Sequence, residues 1–155
     1  MRVPHIRQHI PGECLAACAS MILSYLGIQH QYPALVSMLN IKPEVGTPFS
    51  SIHNLARMGV RVIAQKQGQF ETLYRLLASG WPVIAAVQTR ELTHWKGVES
   101  QHTVTVIGMT ADEIFINDPD FAEHPLPVSY GDFDLAWLEM NERFAVIGPS
   151  VLHRD

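Results

Sequence analysis

Between Cys14 and Leu26, the residues Leu15, Cys18, Ala19, Ile22 and Leu26 recur at three- and four-residue steps, the spacing of one helix face. No Asp, Glu, Lys or Arg interrupts the chain between Glu13 and Lys42. A helix that is apolar nearly all round is a buried one, so this segment predicts a central helix, with Gly27 as its left-handed stop. A second helix is predicted over residues 32–40, with Pro33 in its first turn, and a third over 48–57, ending before Gly59. Phe70, Leu73, Leu76 and Leu77 make 70–78 an amphipathic helix, and 132–140 reads as a short one. Apolar or alternating runs predict strands at 60–65, 82–87, 102–108, 113–117 and 144–147. The polar stretch 88–100, carrying His94 and Trp95, predicts a loop, and 125–128 reads as irregular. Helices early and antiparallel strands late predict an α+β fold in two layers, an N-terminal helical layer on a C-terminal antiparallel sheet. No linker, repeat or low-complexity run divides residues 1–155, so one domain is expected.

Composition narrows the function classes. A hydrophobic content of 47% with 17% charged residues describes a chain that folds around its own core. The formal charge of −4, with no basic run, argues against a nucleic-acid partner. The apolar run that starts at Cys14 is too short to span a bilayer, which needs ~20 residues. It also follows, rather than precedes, the Leu15-Ala16-Ala17-Cys18 sequence that imitates a lipoprotein cleavage site. The expectation is a soluble, unprocessed cytoplasmic protein, and the two cysteines, Cys14 and Cys18, fit a reducing compartment.

Candidate chemistry begins at Cys14, just after Pro11-Gly12-Glu13 and in the first turn of the buried helix. Unpaired N–H groups and the helix dipole favour an anion there, and a nearby histidine lowers a thiol pKa further. Cys18, one turn deeper, reads as core. Among eight histidines, His102 opens the strand His102-Thr103-Val104-Thr105-Val106-Ile107-Gly108. A three-residue hairpin loop at Met109, Thr110 and Ala111 pairs Val106 with Ile114, Val104 with Ile116 and His102 with Asp118. Directly opposed side chains share a face about 4.5–5.5 Å apart, so this register sets a carboxylate beside the imidazole, the orienting role in a catalytic triad. Asp120, beyond Pro119, is the rival acid.

Gln8, then Glu13-Cys14-Leu15-Ala16-Ala17-Cys18 and Met21, and finally His102 to Gly108 with Ile116-Asn117-Asp118-Pro119, resemble the bacteriocin-processing cysteine peptidases, papain-like enzymes that cut leader peptides after a double glycine. The resemblance runs over essentially the whole chain. It implies a papain-like fold, Cys14 as nucleophile, His102 as general base and acid, Asp118 as orienter, and Gln8 as an oxyanion-hole donor beside the Cys14 N–H. It implies a peptide or protein substrate and no cofactor or metal. Many members are the N-terminal domain of an ABC exporter, so association with an exporter or another operon partner is implied, for a free-standing member or an excised domain alike. Where the family often has Gly after the cysteine, this chain has Leu15, which is expected to narrow the cleft as a substrate contact; Trp95 is a candidate for one substrate wall.

Three alternatives stay open on sequence. An amine acceptor in place of water makes the same triad an acyltransferase. A papain-like cleft without turnover makes the chain a binding module. A metal site from Cys14, Cys18 and His5 or His9 is the weakest, because structural zinc takes four ligands in tighter motifs.

Overall fold

In the computed structural model, which describes residues 1–42 and 47–149, six strands hydrogen-bond into one antiparallel sheet. They are β1 (Val60–Gln65), β2 (Val83–Gln88), β3 (Gln101–Met109), β4 (Glu113–Asn117), β5 (Leu126–Ser129) and β6 (Phe144–Pro149), in the order β1-β6-β2-β3-β4-β5. Four α-helices accompany them: α1 (Cys14–Tyr25), α2 (Tyr32–Met38), α3 (Phe70–Ala78) and α4 (Tyr130–Leu138). The α+β class read from the sequence holds, and the strands and helices fall within a few residues of their predicted bounds.

The two-residue period of the strands sorts their side chains between two cores. On β2, Ile84 joins α1 and α2, whereas Val83, Ala85 and Val87 join α3 and α4; on β6, Ala145 and Ile147 take the first side, Phe144 and Val146 the second. The predicted helical layer therefore covers one face, and α3 with α4 covers the other, which makes three layers where two were expected. Residues Leu15 through Leu23 of α1 are all buried, as their lack of charge requires. Gly27, at φ 74°, ends the helix, and Ile28 N–H reaches back to Leu23 O at 2.9 Å.

Three local readings are corrected. Phe49–Met58 is a 3₁₀ helix, not an α-helix; its Ser50, Ser51 and Asn54 are poor helix formers, and Asn54 spends its amide on Met38 O at 3.0 Å. The segment read as irregular at 125–128 contains β5, because Pro127, which has no N–H to donate, is tolerated on an edge strand. The β3–β4 register also differs. Thr105 pairs with Asn117, Val106 with Ile116, and Met109 with Ile114, with a bulge between Val106 and Gly108. Val106 thus opposes Ile116, not Ile114.

Close packing gives the first prediction. A Cβ on Gly68 would lie 2.7 Å from Phe144 Cδ1 and 2.9 Å from Trp137 Cη2, and both rings are buried. Gly68→Ala is expected to cost about 1–3 kcal/mol in urea unfolding. Gly131→Ala on α4, where no atom lies within 4 Å of the new Cβ, serves as the control and is expected to be neutral or slightly stabilising.

Candidate active site

Cys14 is the first residue of α1 and half-buried. Its N–H stands at the helix start, where no intrahelical acceptor exists. The preceding loop is folded back by Glu13, itself buried, whose Oε1 accepts from His9 N at 3.1 Å, Ile10 N at 3.3 Å and Tyr32 Oη at 3.1 Å. Burial, then the Glu13 charge and hydrogen bond, push the Tyr32 phenol well up. This turn brings Gln8 into the same cleft as Cys14.

His102 is the second residue of β3, paired with Val87 of β2, and is buried. It is not opposed to Asp118 as the predicted register required. Continuing the observed pairing one step past Thr105 and Asn117 brings Asp118 level with Val104, two residues along from His102. A displacement of two keeps both side chains on one face, and a diagonal neighbour is still within reach of a long side chain. His102 Nε2 meets Asp118 Oδ1 at 2.7 Å. That bond leaves Nδ1 for Cys14, whose thiol lines the same cleft, close enough for each group to act on the other's charge.

Asp118 is fully buried and accepts from four donors. Asp120 N–H shares Oδ1 with His102, at 3.0 Å, while His94 Nε2 at 2.7 Å and Trp95 Nε1 at 2.9 Å meet on Oδ2. The Trp95 ring also stands edge-on to His102, with centroids 4.9 Å apart. Trp95 does line the cleft, but its indole N–H is turned to the carboxylate. His94 had no assigned role on sequence. The available signal was two ring donors side by side in the polar loop immediately before the histidine strand, and the short 3₁₀ turn Thr93–Trp95 is what aims them.

The charges follow from this packing. Burial opposes ionisation at all three groups, and the partners outweigh it. Hydrogen bonds from His102 and His94 hold Asp118 well below the usual carboxylate range. Asp118 and Cys14 raise His102 to about 10. His102, with a smaller contribution from Thr103, brings Cys14 below an ordinary thiol. The arrangement favours a thiolate beside an imidazolium over the neutral pair.

The cleft has a volume of about 720 Å³, and Gln8, Cys14, Trp95, His102 and Asp120 contribute to its lining. Leu15 does not. It is 2% exposed and belongs to the core between α1 and the sheet, because one residue along a helix is a rotation of about 100° away from the cleft. Its expected role as a substrate contact is withdrawn. Cys18 is fully buried, its thiol pushed well up by burial, and Sγ donates to Thr103 O at 3.5 Å. The histidines considered with it for a metal are engaged elsewhere: His5 with Asp118 O at 2.9 Å, and His9 stacked on Tyr32.

A sheet covered on both faces, with a thiol at a helix start, an imidazole on the neighbouring strand and a carboxylate behind it, is the arrangement of the papain-like cysteine peptidases. The chain belongs to the Peptidase_C39 like family, whose model matches residues 1–143. Solved structures agree on the fold. A C39-like protein from Bacillus anthracis superposes with a TM-score of 0.78 at 17% identity, covering 94% of each chain. The peptidase domain of Streptococcus ComA, a bifunctional ABC transporter of a quorum-sensing pathway, gives 0.76 at 17% identity over 96% of this chain and 100% of that one. The double glycine motif protease of an AMS/PCAT transporter, solved in complex with the leader peptide, gives 0.74 at 20% identity over 96% and 93%. No curated protein matches the chain. Among the described residues no helix is long and apolar enough to cross a membrane.

Proposed function

We propose that residues 1–155 form one peptidase domain that cuts peptides after a double glycine by acyl transfer through Cys14. The observation that carries this reading is a thiol sharing its cleft with a histidine whose Nε2 is fixed, at 2.7 Å, on a buried carboxylate. The thiolate of Cys14 attacks the scissile carbonyl, and the oxyanion is received by the Cys14 N–H and the Gln8 side-chain amide. His102, protonated at that moment, gives its proton to the leaving amine. Water then enters, His102 takes one of its protons, and the hydroxide cleaves the thioester to release the acid and restore the thiol. Asp118 keeps the ring in the orientation that both transfers need.

The double-glycine substrate class is supported by family membership and by the leader peptide held by the AMS/PCAT relative. The ComA relative, a domain of a transporter, supports an exporter partner, and the paired free thiols support work in the reducing cytoplasm. The test is cleavage of a synthetic precursor peptide, a leader with its Gly-Gly followed by a short cargo segment, monitored by mass spectrometry. The expected result is a single cut after the second glycine, lost in Cys14→Ala and kept when alanine replaces Cys18. Intact peptide with a reactive Cys14 would point to a binding module, and transfer of the acyl group to an added amine in preference to water would point to an acyltransferase.

A further inference from the structure

The segment before Cys14 is laced to the turn after β4 one residue at a time. His5 Nε2 bonds Asp118 O at 2.9 Å, Gln8 N–H donates to Pro119 O at 3.0 Å, and the Arg7 guanidinium donates to Asp120 O at 3.2 Å. The last tie joins side chains: Gln8 Nε2 donates to Asp120 Oδ1.

We propose that Asp120 is a positioning residue that sets the Gln8 amide with its N–H edge toward the reacting carbonyl. The inference rests on the acyl-transfer reading above and assigns Asp120 the task that reading leaves open. A glutamine amide has two nearly isosteric ends, and only the nitrogen end can receive an oxyanion. Turned over, Gln8 would place its carbonyl oxygen against the Asp120 carboxylate, acceptor against acceptor. The carboxylate therefore selects one orientation through a charge-assisted bond. The other end of the amide shows that something must do the selecting: Oε1 is buried and has no protein partner, an arrangement that is costly by itself. Asp120 takes one of the two amide hydrogens, and the second is left for the cleft that Gln8, Cys14 and Asp120 share.

The consequence is a division of labour within residues 118–120. The first carboxylate of the turn holds the base, the second holds the oxyanion donor, and the Asp120 N–H on Asp118 Oδ1 at 3.0 Å ties the two together. Asp120, which competed with Asp118 for the orienting role on sequence, has a different partner and a different step.

The test is a double-mutant cycle on the Gly-Gly peptide with Asp120→Ala, Asp120→Asn, Gln8→Ala and the double variant, with Cys14 alkylation by iodoacetamide measured alongside. Loss of an oxyanion donor costs about 10²–10³ in rate, so Gln8→Ala sets the ceiling. Asp120→Ala is expected to lower kcat about 10-fold, well inside that ceiling, with KM nearly unchanged. Asp120→Asn, which still offers an acceptor, is expected to restore most of it. In the Gln8→Ala background Asp120→Ala should cost nothing further. Alkylation forms no oxyanion, so its rate should not move. An Asp120→Ala effect that multiplies with that of Gln8→Ala, or that slows alkylation equally, would overturn the assignment, as would native kcat in Asp120→Ala. Failure of the native chain to cleave the peptide would instead remove the acyl-transfer reading itself, and the assignment with it.

Discussion

With His102 replaced by alanine, Cys14 is expected to react with iodoacetamide only as an ordinary or weaker thiol, its labelling midpoint moving from below the ordinary thiol range to above it. The direction follows from the balance at that sulfur. Burial raises the thiol, and the neighbouring His102 is the main influence that reverses it. Without the ring, burial is left almost unopposed. In the native protein the pair titrates as a unit, so two limbs are expected in kcat/KM. The acid limb marks formation of the thiolate below ordinary thiol pKa, and the alkaline limb, near pH 10, marks loss of the imidazolium proton. In His102→Ala, turnover should fall by about 10³–10⁴ and the profile should lose its alkaline limb. Cys18, fully buried, supplies the internal control: it should stay unlabelled in both proteins while they are folded. Identical labelling of Cys14 with and without His102 would show that the imidazole does not set its charge.

Asp118 carries the second large effect, and there stability and rate should fall together. Asp118→Ala leaves two imidazoles, an indole N–H and the Asp120 N–H facing a hole. Breaking a buried charge pair by removing one partner typically costs about 3–5 kcal/mol. Asp118→Asn keeps the volume and one acceptor, but its amide nitrogen must face either His102 or the His94–Trp95 pair. Turnover in Asp118→Asn is expected to drop by up to about 10⁴, with a smaller loss of stability than for alanine. The pH dependence supplies the sign. The folded carboxylate is held below its ordinary value of 3.8, so its contribution is present above about pH 4 and disappears as pH falls through the depressed value. His102, raised to about 10, works in the opposite direction: its contribution is complete below its unfolded value near 6.5 and fades as pH rises toward 10. Urea unfolding of the native protein should therefore weaken on both sides of that window. Asp118→Ala should be flatter on both sides, since the His102–Asp118 bond contributes to both shifts.

Much of this arrangement was legible in the chain itself. The uncharged stretch after Glu13 marked α1 as buried, and a cysteine at its start marked the place where an anion is welcome. The histidine and aspartate were found through a hairpin whose register was wrong. The error did no harm, because the true register displaces the pair by two residues, an even number that keeps both side chains on one face. Two departures make up that shift, a hairpin end that sets Met109 opposite Ile114 and the bulge between Val106 and Gly108, and nothing in Val106-Ile107-Gly108 announces the second. What stayed hidden was contact between segments far apart in the chain. His94 and Trp95 reach Asp118 across more than twenty residues, and Gln8 reaches Asp120 across more than a hundred. Leu15 was misplaced for a different reason: adjacency to the nucleophile in sequence is not adjacency in space when the backbone is helical.

The alternation of β2 and β6 between two cores has a bearing on how the molecule comes apart. The sheet is a wall common to both helical layers, and each layer covers its own face, so detaching either one strips one apolar face of the wall. The thiol belongs to a helix on one side of that wall, and the imidazole to a strand inside it. Fraying confined to the α1 layer would part the two, at the cost of uncovering the face of the sheet on which that layer packs. The reactive pair thus lasts as long as the α1 layer stays seated on the sheet, and a ligand gripping the cleft from both would be felt as a rise in the melting temperature.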